Sequence, residues 1–390
     1  MVELELQRIK EKLIESGNLL TKKEIEKELD WICQKLKTNL ERYQDKFPSA
    51  EATNGKYRLK NNDDWTNGFW TGMLWMAYEY TQDETFKKAA LDQVKSFERR
   101  LKENVVLEHH DLGFLYSLSV GAGYRITKNE EFIPILKGAA DKLLERYQSK
   151  GGFLQAWGSL NNEEEYRLII DSLINLPLLF DVWRLTSDGK YYEKAENHYH
   201  QVLNHIFRED YSTYHTYYFN PVNGEPLRGA THQGYRDDSC WARGQAWAVL
   251  GLPLNNYYAP SLRNEIVYQK AVNYFLSNLP KDIVPYWDFA FTKEDGQIRD
   301  SSALAIVACG LLSAKKVNLY PNADKLAAGM VKALSKSYTS KDEEETEGLL
   351  LHGVYAYQEG KGVDEPNLWG DYFYMEALFR LLRPTWETYW

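Results

Sequence analysis

Residues 169–180 read IIDSLINLPLLF, an aliphatic run interrupted by a single acid, Asp171. A carboxyl group among isoleucines and leucines is poorly solvated, which favours its neutral form and raises its pKa. A carboxyl that still holds its proton near neutral pH can act as a general acid. Asn175 lies four residues on and shares a face with Asp171 if the segment is helical. Asp is also a preferred helix N-cap, so the same residue has a purely structural explanation. Pro177 would then fall in the second turn and cost a hydrogen bond, which leaves the helix start open.

Working outward, segments apolar on most sides recur at 66–80, 110–126, 171–183, 238–254, 300–313 and 371–382. Between them lie amphipathic segments at 22–43 (behind the cap candidate Thr21), 84–101, 130–147, 190–206, 262–279 and 322–338. A buried helix alternating with a half-buried one predicts about twelve helices, an inner ring wrapped by an outer ring. The expected fold is therefore an all-α (α/α)6 barrel of six helical hairpins. With no linker or low-complexity segment, residues 1–390 read as one domain. An aspartate stands at or near the start of each inner helix: Asp64, Asp111, Asp171, Asp238, Asp300 and Asp371. Capping accounts for all six, so helix position alone does not single out a catalyst. The inner-helix starts gather at one end of the barrel with partial positive charge. Long loops at 151–167, 211–237, 281–299 and 339–370 lead into them, so a site is expected at that end. A loop strand is expected in STYHTYYFN, 212–220, and a plain loop around Pro48 and Gly55.

The 390 residues include 12 Trp, 28 Tyr and 15 Phe, shared between core filling and flat ligand platforms. Net charge is −9 with no basic stripe, which argues against nucleic acid as a partner. A local cationic pocket could still hold an anionic small ligand. Cys33, Cys240 and Cys309 are odd in number and far apart, so no disulfide framework or redox motif is expected. The N-terminal MVELELQRIKEKLIESG is charged and amphipathic, with no apolar core of a secretion signal. No apolar run reaches membrane-span length, so a cytoplasmic protein without a membrane partner is expected. His198, His200 and His205 do not form a set on one helical face, and no phosphate loop or nucleophile elbow is present. Neither a metal nor a cofactor is expected.

Candidate chemistry lies near the inner-helix starts. Asp111 follows His109 and His110, and two acids at neighbouring helix mouths could push one pKa upward. In QGYRDDSCWARGQAW, 233–247, Arg243 offers a planar, always-charged donor fork that suits a carboxylate. An ion pair to Asp237 or Asp238 would explain it equally well. Trp247 is a platform candidate four residues beyond Arg243, and Gln233 can both donate to and accept from a sugar hydroxyl. Trp65 precedes a helix start, and Trp157 stands in the Gly-rich loop GGFLQAWGS, 151–159; both suit stacking. His215 sits in the aromatic strand, as a site residue or as a satisfied loop histidine.

Six motifs in order, DDWTNGFWTGMLW (63–75), HHDLGFLYSLS (109–119), IIDSLINLPLL (169–179), TYHTYYF (213–219), QGYRDDSCWARGQAW (233–247) and GKGVDEPNLWGDYFYMEAL (360–378), resemble those of the unsaturated glucuronyl hydrolases, glycoside hydrolase family 88. The resemblance implies an (α/α)6 barrel. It also implies removal of a 4,5-unsaturated uronic acid from small oligosaccharides made by polysaccharide lyases, such as those from chondroitin or hyaluronan. Related unsaturated rhamnogalacturonyl hydrolases usually carry Asn where this chain has Gln245, which favours the glucuronyl group. By resemblance, Asp171 is the acid/base and Asp111 the second catalytic aspartate. His110, His215, Gln233 and Arg243 match polar substrate contacts, and Trp65, Trp157 and Trp247 match aromatic walls. Asn175, on the Asp171 face, is grouped with the substrate contacts. The implied reaction is hydration: Asp171 protonates C4, positive charge builds at C5, and water adds there. Lys361, in AYQEGKG (356–362), would touch the next sugar. Some family members that accept sulfated sugars carry serines where Ala356 and Glu359 stand, and Glu359 should repel a sulfate, so unsulfated or differently sulfated disaccharides are expected to be preferred. Arg236 could reverse this by supplying charge nearby. The competing expectations are an inverting glycosidase on the same barrel and a non-catalytic glycan-binding protein. A monomer or weak dimer is expected.

Overall fold

Thr21 and Glu24 close a reciprocal capping box, the Thr21 amide donating to Glu24 Oε2 (2.8 Å) and the Glu24 amide to Thr21 Oγ1 (3.2 Å). The first predicted helix therefore begins where the sequence places it. The computed structural model describes residues 2–160 and 162–390. Met1, where the predicted domain starts, and Asn161, in the predicted 151–167 loop, lie outside the described residues.

The helices in chain order are α1 (Val2–Asn18), α2 (Lys22–Tyr43), α3 (Asn67–Thr81), α4 (Glu84–Lys102), α5 (Leu112–Tyr116), α6 (Ala122–Thr127), α7 (Phe132–Leu144), α8 (Leu176–Thr186), α9 (Gly189–His205), α10 (Ala242–Tyr258), α11 (Glu265–Ser277), α12 (Ser301–Lys316), α13 (Ala323–Ser337) and α14 (Leu368–Leu382). A π-helical stretch, Ser117–Gly121, joins α5 to α6 into one rod. The inner ring runs α3, α5–α6, α8, α10, α12, α14, and closes where α14 packs on α3. It is buried along nearly its whole length, whereas each outer helix buries one stripe, such as Phe86, Ala90, Val94 and Phe97 on α4. The twelve predicted helices are all present. Helix α1 is added outside the two rings, seated on α13 and α11 through the buried Leu13.

The aspartates do not behave as six caps. Asp300 alone accepts an amide of the helix it precedes, from Ser302 (3.2 Å). Asp64 contacts the Thr66 amide (3.4 Å) one turn ahead of α3. Asp111 stands at an N-cap position with no side-chain cap bond, and Asp238 is exposed in the loop before α10. Asp371 lies inside α14, which Asn367 caps through the Gly370 amide (2.8 Å). Asp171 belongs to a 3-10 turn, Ile170–Ile174, ahead of α8. The helix starts five residues later than the sequence suggests, so Pro177 falls in its first turn, where no hydrogen bond is lost. Likewise α10 starts at Ala242 rather than 238, because Trp241 is held extended by a bridge to Asp288.

Small sheets sit at the same end of the barrel. The predicted loop strand is real, as Thr216–Phe219, and lies between Arg167–Ile169 and Pro226–Ala230 in an antiparallel sheet. The expected loop around Pro48 is instead a hairpin of Phe47–Thr53 with Lys56–Lys60, turned at Gly55 (φ +73°). A second hairpin pairs Gly353–Ala356 with Lys361–Glu365 and carries Lys361 to the rim.

Candidate active site

Four backbone segments meet where α5 and α8 begin. The His110 amide donates to Ala156 O (2.8 Å), and His109 is bridged to Trp157, so the histidine pair and the Trp157 loop run side by side. The Ile170 amide donates to His215 O (3.1 Å), which places the Asp171 turn at the end of the loop sheet. Gly113 lets α5 approach α8 here: a Cβ on it would fall 2.5 Å from Asn175 Cα.

His110 Nε2 lies 3.2 Å from Asp111 Oδ1 and 3.3 Å from Asp171 Oδ1. Burial disfavours charge on this imidazole, but the two carboxylates outweigh it and raise its pKa to about 9, so the ring is a cation at neutral pH. Burial likewise works against a charged Asp111. The His110 charge and the His110 hydrogen bond win and hold this carboxyl well below the usual range. Asp171 moves the other way. Burial is the main cause; the Asp111 charge adds to it, while His110 and Arg243 only partly oppose it. Beyond the His110 contact Asp171 Oδ1 has no polar partner, and the Asp171 side chain keeps 17% of its surface open. One carboxylate of the pair is thus held ionised and the other held toward its acid form. The ligand-type atoms of His110, Asp111 and Asp171 all lie within 4.8 Å, close enough for a metal ion. An ion there would have to displace the His110 proton that the two carboxylates hold.

A second group faces the pair. His215 is buried and neutral, its pKa pushed well down by burial and by neighbouring cations. Its Nδ1 accepts the His232 amide (2.9 Å), so the proton sits on Nε2. Arg243 is buried between the rings of Trp241 (4.4 Å) and Trp369 (4.8 Å). It donates to Asp300 Oδ2 (2.9 Å), Tyr355 O (2.7 Å), Val354 O and Gln233 Oε1 (2.7 Å). Its ion-pair partner is therefore Asp300, not Asp237 or Asp238, because the arginine points into the ring while those two stay on the exposed loop. The Gln233 carbonyl is committed to Arg243, which leaves the amide NH2 as its donor to the site.

Trp65 and Trp157 are half-buried at the rim. Trp65 donates to Tyr355 Oη (2.9 Å) and stacks on Trp369 (5.5 Å, 26°), and Trp157 is backed by the Arg167 guanidinium (4.5 Å). Trp247 lies deeper, buried against Phe114 (5.6 Å) and Phe373 (5.7 Å). Asn175 is also buried, and both ends of its amide serve backbone: the Phe114 amide (2.9 Å) and Asp171 O (3.4 Å). It joins α5 to α8 beneath the acids rather than facing the rim. Lys361 lies over the Tyr355 ring (4.0 Å). Gln245 donates to Tyr211 O and Ala271 O (both 3.0 Å), so its amide is spent inside the fold. The structure adds residues that composition did not single out: Arg167, His232, Tyr355 and Trp369. Trp369 carried a signal, a tryptophan just ahead of the inner segment expected at 371–382, although α14 in fact begins at Leu368. Arg167 carried none, since its partners come from other loops.

The chain matches the profile of Glycosyl Hydrolase Family 88 over residues 39–375. It is 45% identical to an unsaturated chondroitin disaccharide hydrolase of Streptococcus agalactiae, covering 96% of this chain and 95% of that one. It is 42% identical to an unsaturated glucuronyl hydrolase of Bacillus sp. (strain GL1), over 90% and 95% of the two chains. Among solved structures, the unsaturated glucuronyl hydrolase of Streptococcus agalactiae superposes with a TM-score of 0.92 at 45% identity, covering 95% of each chain. An Asp-to-Asn mutant of that enzyme, in complex with dGlcA-GalNAc6S, superposes at 0.84 with 41% identity, over 95% and 94%.

Proposed function

Because the chain belongs to Glycosyl Hydrolase Family 88, we propose that Asp171 is the acid that starts its reaction, hydration of the 4,5 double bond of an unsaturated uronic acid. The protein is a glycoside hydrolase that releases 4,5-unsaturated glucuronic acid from the non-reducing end of glycosaminoglycan-derived oligosaccharides. The observation that carries the assignment is one His110 nitrogen shared by two carboxylates whose pKa values move in opposite directions.

Asp171 gives its proton to C4 of the vinyl ether, and positive charge develops at C5 and the ring oxygen. The carboxylate left behind faces the His110 cation, which stabilises it without any rearrangement. It then takes a proton from water as the water oxygen bonds to C5. The resulting hemiketal opens, which leaves the anomeric carbon as a hemiacetal of the remaining sugar; this breaks down and frees that sugar. Asp111 keeps His110 charged. Gln233 and His215 supply neutral donors for the substrate carboxylate, and Arg243 acts behind Gln233 through its charge. Trp65 and Trp157 flank the ring. Carboxylate oxygens within 4.8 Å of each other leave little room for the water that an inverting glycosidase places between its acids.

In the rim hairpin, Glu359 is exposed near Lys361, and Arg236 is paired with Asp238 (3.1 Å). That arrangement supports a preference for unsulfated over 6-sulfated disaccharides. Three buried cysteines without disulfides fit a reducing, cytoplasmic setting, where we propose that the chain works as a monomer or weak dimer. The test is loss of the ultraviolet absorbance of the C4=C5–carboxylate group on lyase products of hyaluronan, chondroitin and heparin. Turnover on one or more of them is expected. Binding without absorbance loss on all of them would overturn the assignment, and a strong 6-sulfate preference would overturn the rim reading.

A further inference from the structure

His198 belongs to outer helix α9, far from the acids in sequence, yet it is fully buried behind them. The Leu154 amide donates to its Nδ1 (2.9 Å). An amide can only donate, so Nδ1 carries the lone pair and the ring proton is on Nε2. Nε2 lies 2.7 Å from the hydroxyl of Ser172, itself fully buried and next to Asp171. Having accepted that proton, the hydroxyl donates its own to Ile169 O. The result is one directed chain, Leu154 N–H to His198 to Ser172 to Ile169 O, that spans the 3-10 turn carrying Asp171. Burial, helped by the His110 charge, lowers the His198 pKa to about 3, so the ring stays neutral and the chain keeps its direction at working pH. Leu154 lies three residues before Trp157 in the same loop, so the same ring also ties the aromatic wall to the acid.

We propose that His198, acting through Ser172, is a positioning residue that holds the Asp171 turn, and with it the acid, against His110 and Asp111. The inference rests on Asp171 being the proton donor. The charged groups that face Asp171 are His110, Asp111 and Arg243. A turn freed from Ser172 moves the acid relative to all three, whereas the rim residues that bind sugar stay in place.

Ser172→Ala removes one hydroxyl from the turn, and His198→Ala and His198→Gln test the ring; all are assayed with Asp171→Asn on an unsaturated chondroitin disaccharide. Ser172→Ala is expected to lower kcat about tenfold or more with KM within about twofold, since small misplacements of a reacting group are costly. The basic limb of its kcat–pH profile is expected to move. His198→Gln, whose amide can still donate to Ser172, is expected to recover part of the activity lost in His198→Ala. Wild-type kcat and an unmoved pH limb in Ser172→Ala would overturn the proposal, as would His198→Gln no better than His198→Ala. If His198→Ala does not fold, Ser172→Ala alone decides. Turnover retained by Asp171→Asn would sink the assignment of the acid; an inactive Asp171→Asn beside a normal Ser172→Ala would sink only the positioning role.

Discussion

Asp171 and Asp111 are chemically the same residue, made different by what surrounds them. Asp171→Asn is expected to bind substrate and lose nearly all turnover. Asp111→Asn is expected to lose about 10²–10⁴-fold in kcat, because His110 loses the anion that keeps it charged; normal kcat in either variant would contradict the pairing. The pH dependence follows from the signs of the shifts. Asp171 must hold its proton, so kcat should fall as pH rises through its raised pKa. Burial opposes charge on His110, but the two carboxylates win and raise its pKa from 6.5 to about 9. Its contribution to stability is therefore complete below pH 6.5 and lost as pH rises through about 9. Urea midpoints across that range should fall in the wild type and stay flatter in His110→Gln. The poor solvation of Asp171 was legible in the sequence because aliphatic residues flank it on both sides. The partner of Arg243 was not, because Asp300 is brought to it only by closure of the ring.

Helix periodicity is local, so all twelve ring helices could be read from the sequence. Their starts could not, because they depend on where a loop hands over to the barrel. The turn before α8 takes up Ile170–Ile174 since Asp171 and Ser172 are engaged across the site rather than with the helix, and the aspartates taken for caps find other partners. The α5–α8 seam shows how an element positions the chemistry. Asn175→Ala strips the acceptor from the buried Phe114 amide and should cost about 1–3 kcal/mol. Gly113→Ala drives a methyl group into Asn175, should cost a similar ~1–3 kcal/mol, and should lower kcat by separating Asp111 from Asp171. Denaturant melts with parallel assays check both; a Gly113→Ala enzyme with normal kcat would argue against the seam as the spacer.

For the whole molecule, the alternation of buried and half-buried helices was enough to give two concentric rings, and the gathering of inner-helix starts gave the end that carries the site. Two features escaped a pattern-based reading. Helix α1 packs outside both rings on α13, and the segment after α14 returns to bury Trp390 against Phe373 (5.8 Å) and Phe114 (6.0 Å) below the acids. Trp390→Ala should destabilise the barrel by about 3–5 kcal/mol, checked by thermal and urea unfolding, while leaving sulfate selectivity unchanged. The central claim is protonation of an alkene carbon rather than attack at the anomeric one, and the two differ in the order of events. Absorbance of the unsaturated uronate and release of the second sugar should be followed together in a single turnover. The account predicts that absorbance is lost before, or in step with, sugar release; sugar released while the absorbance persists would contradict it.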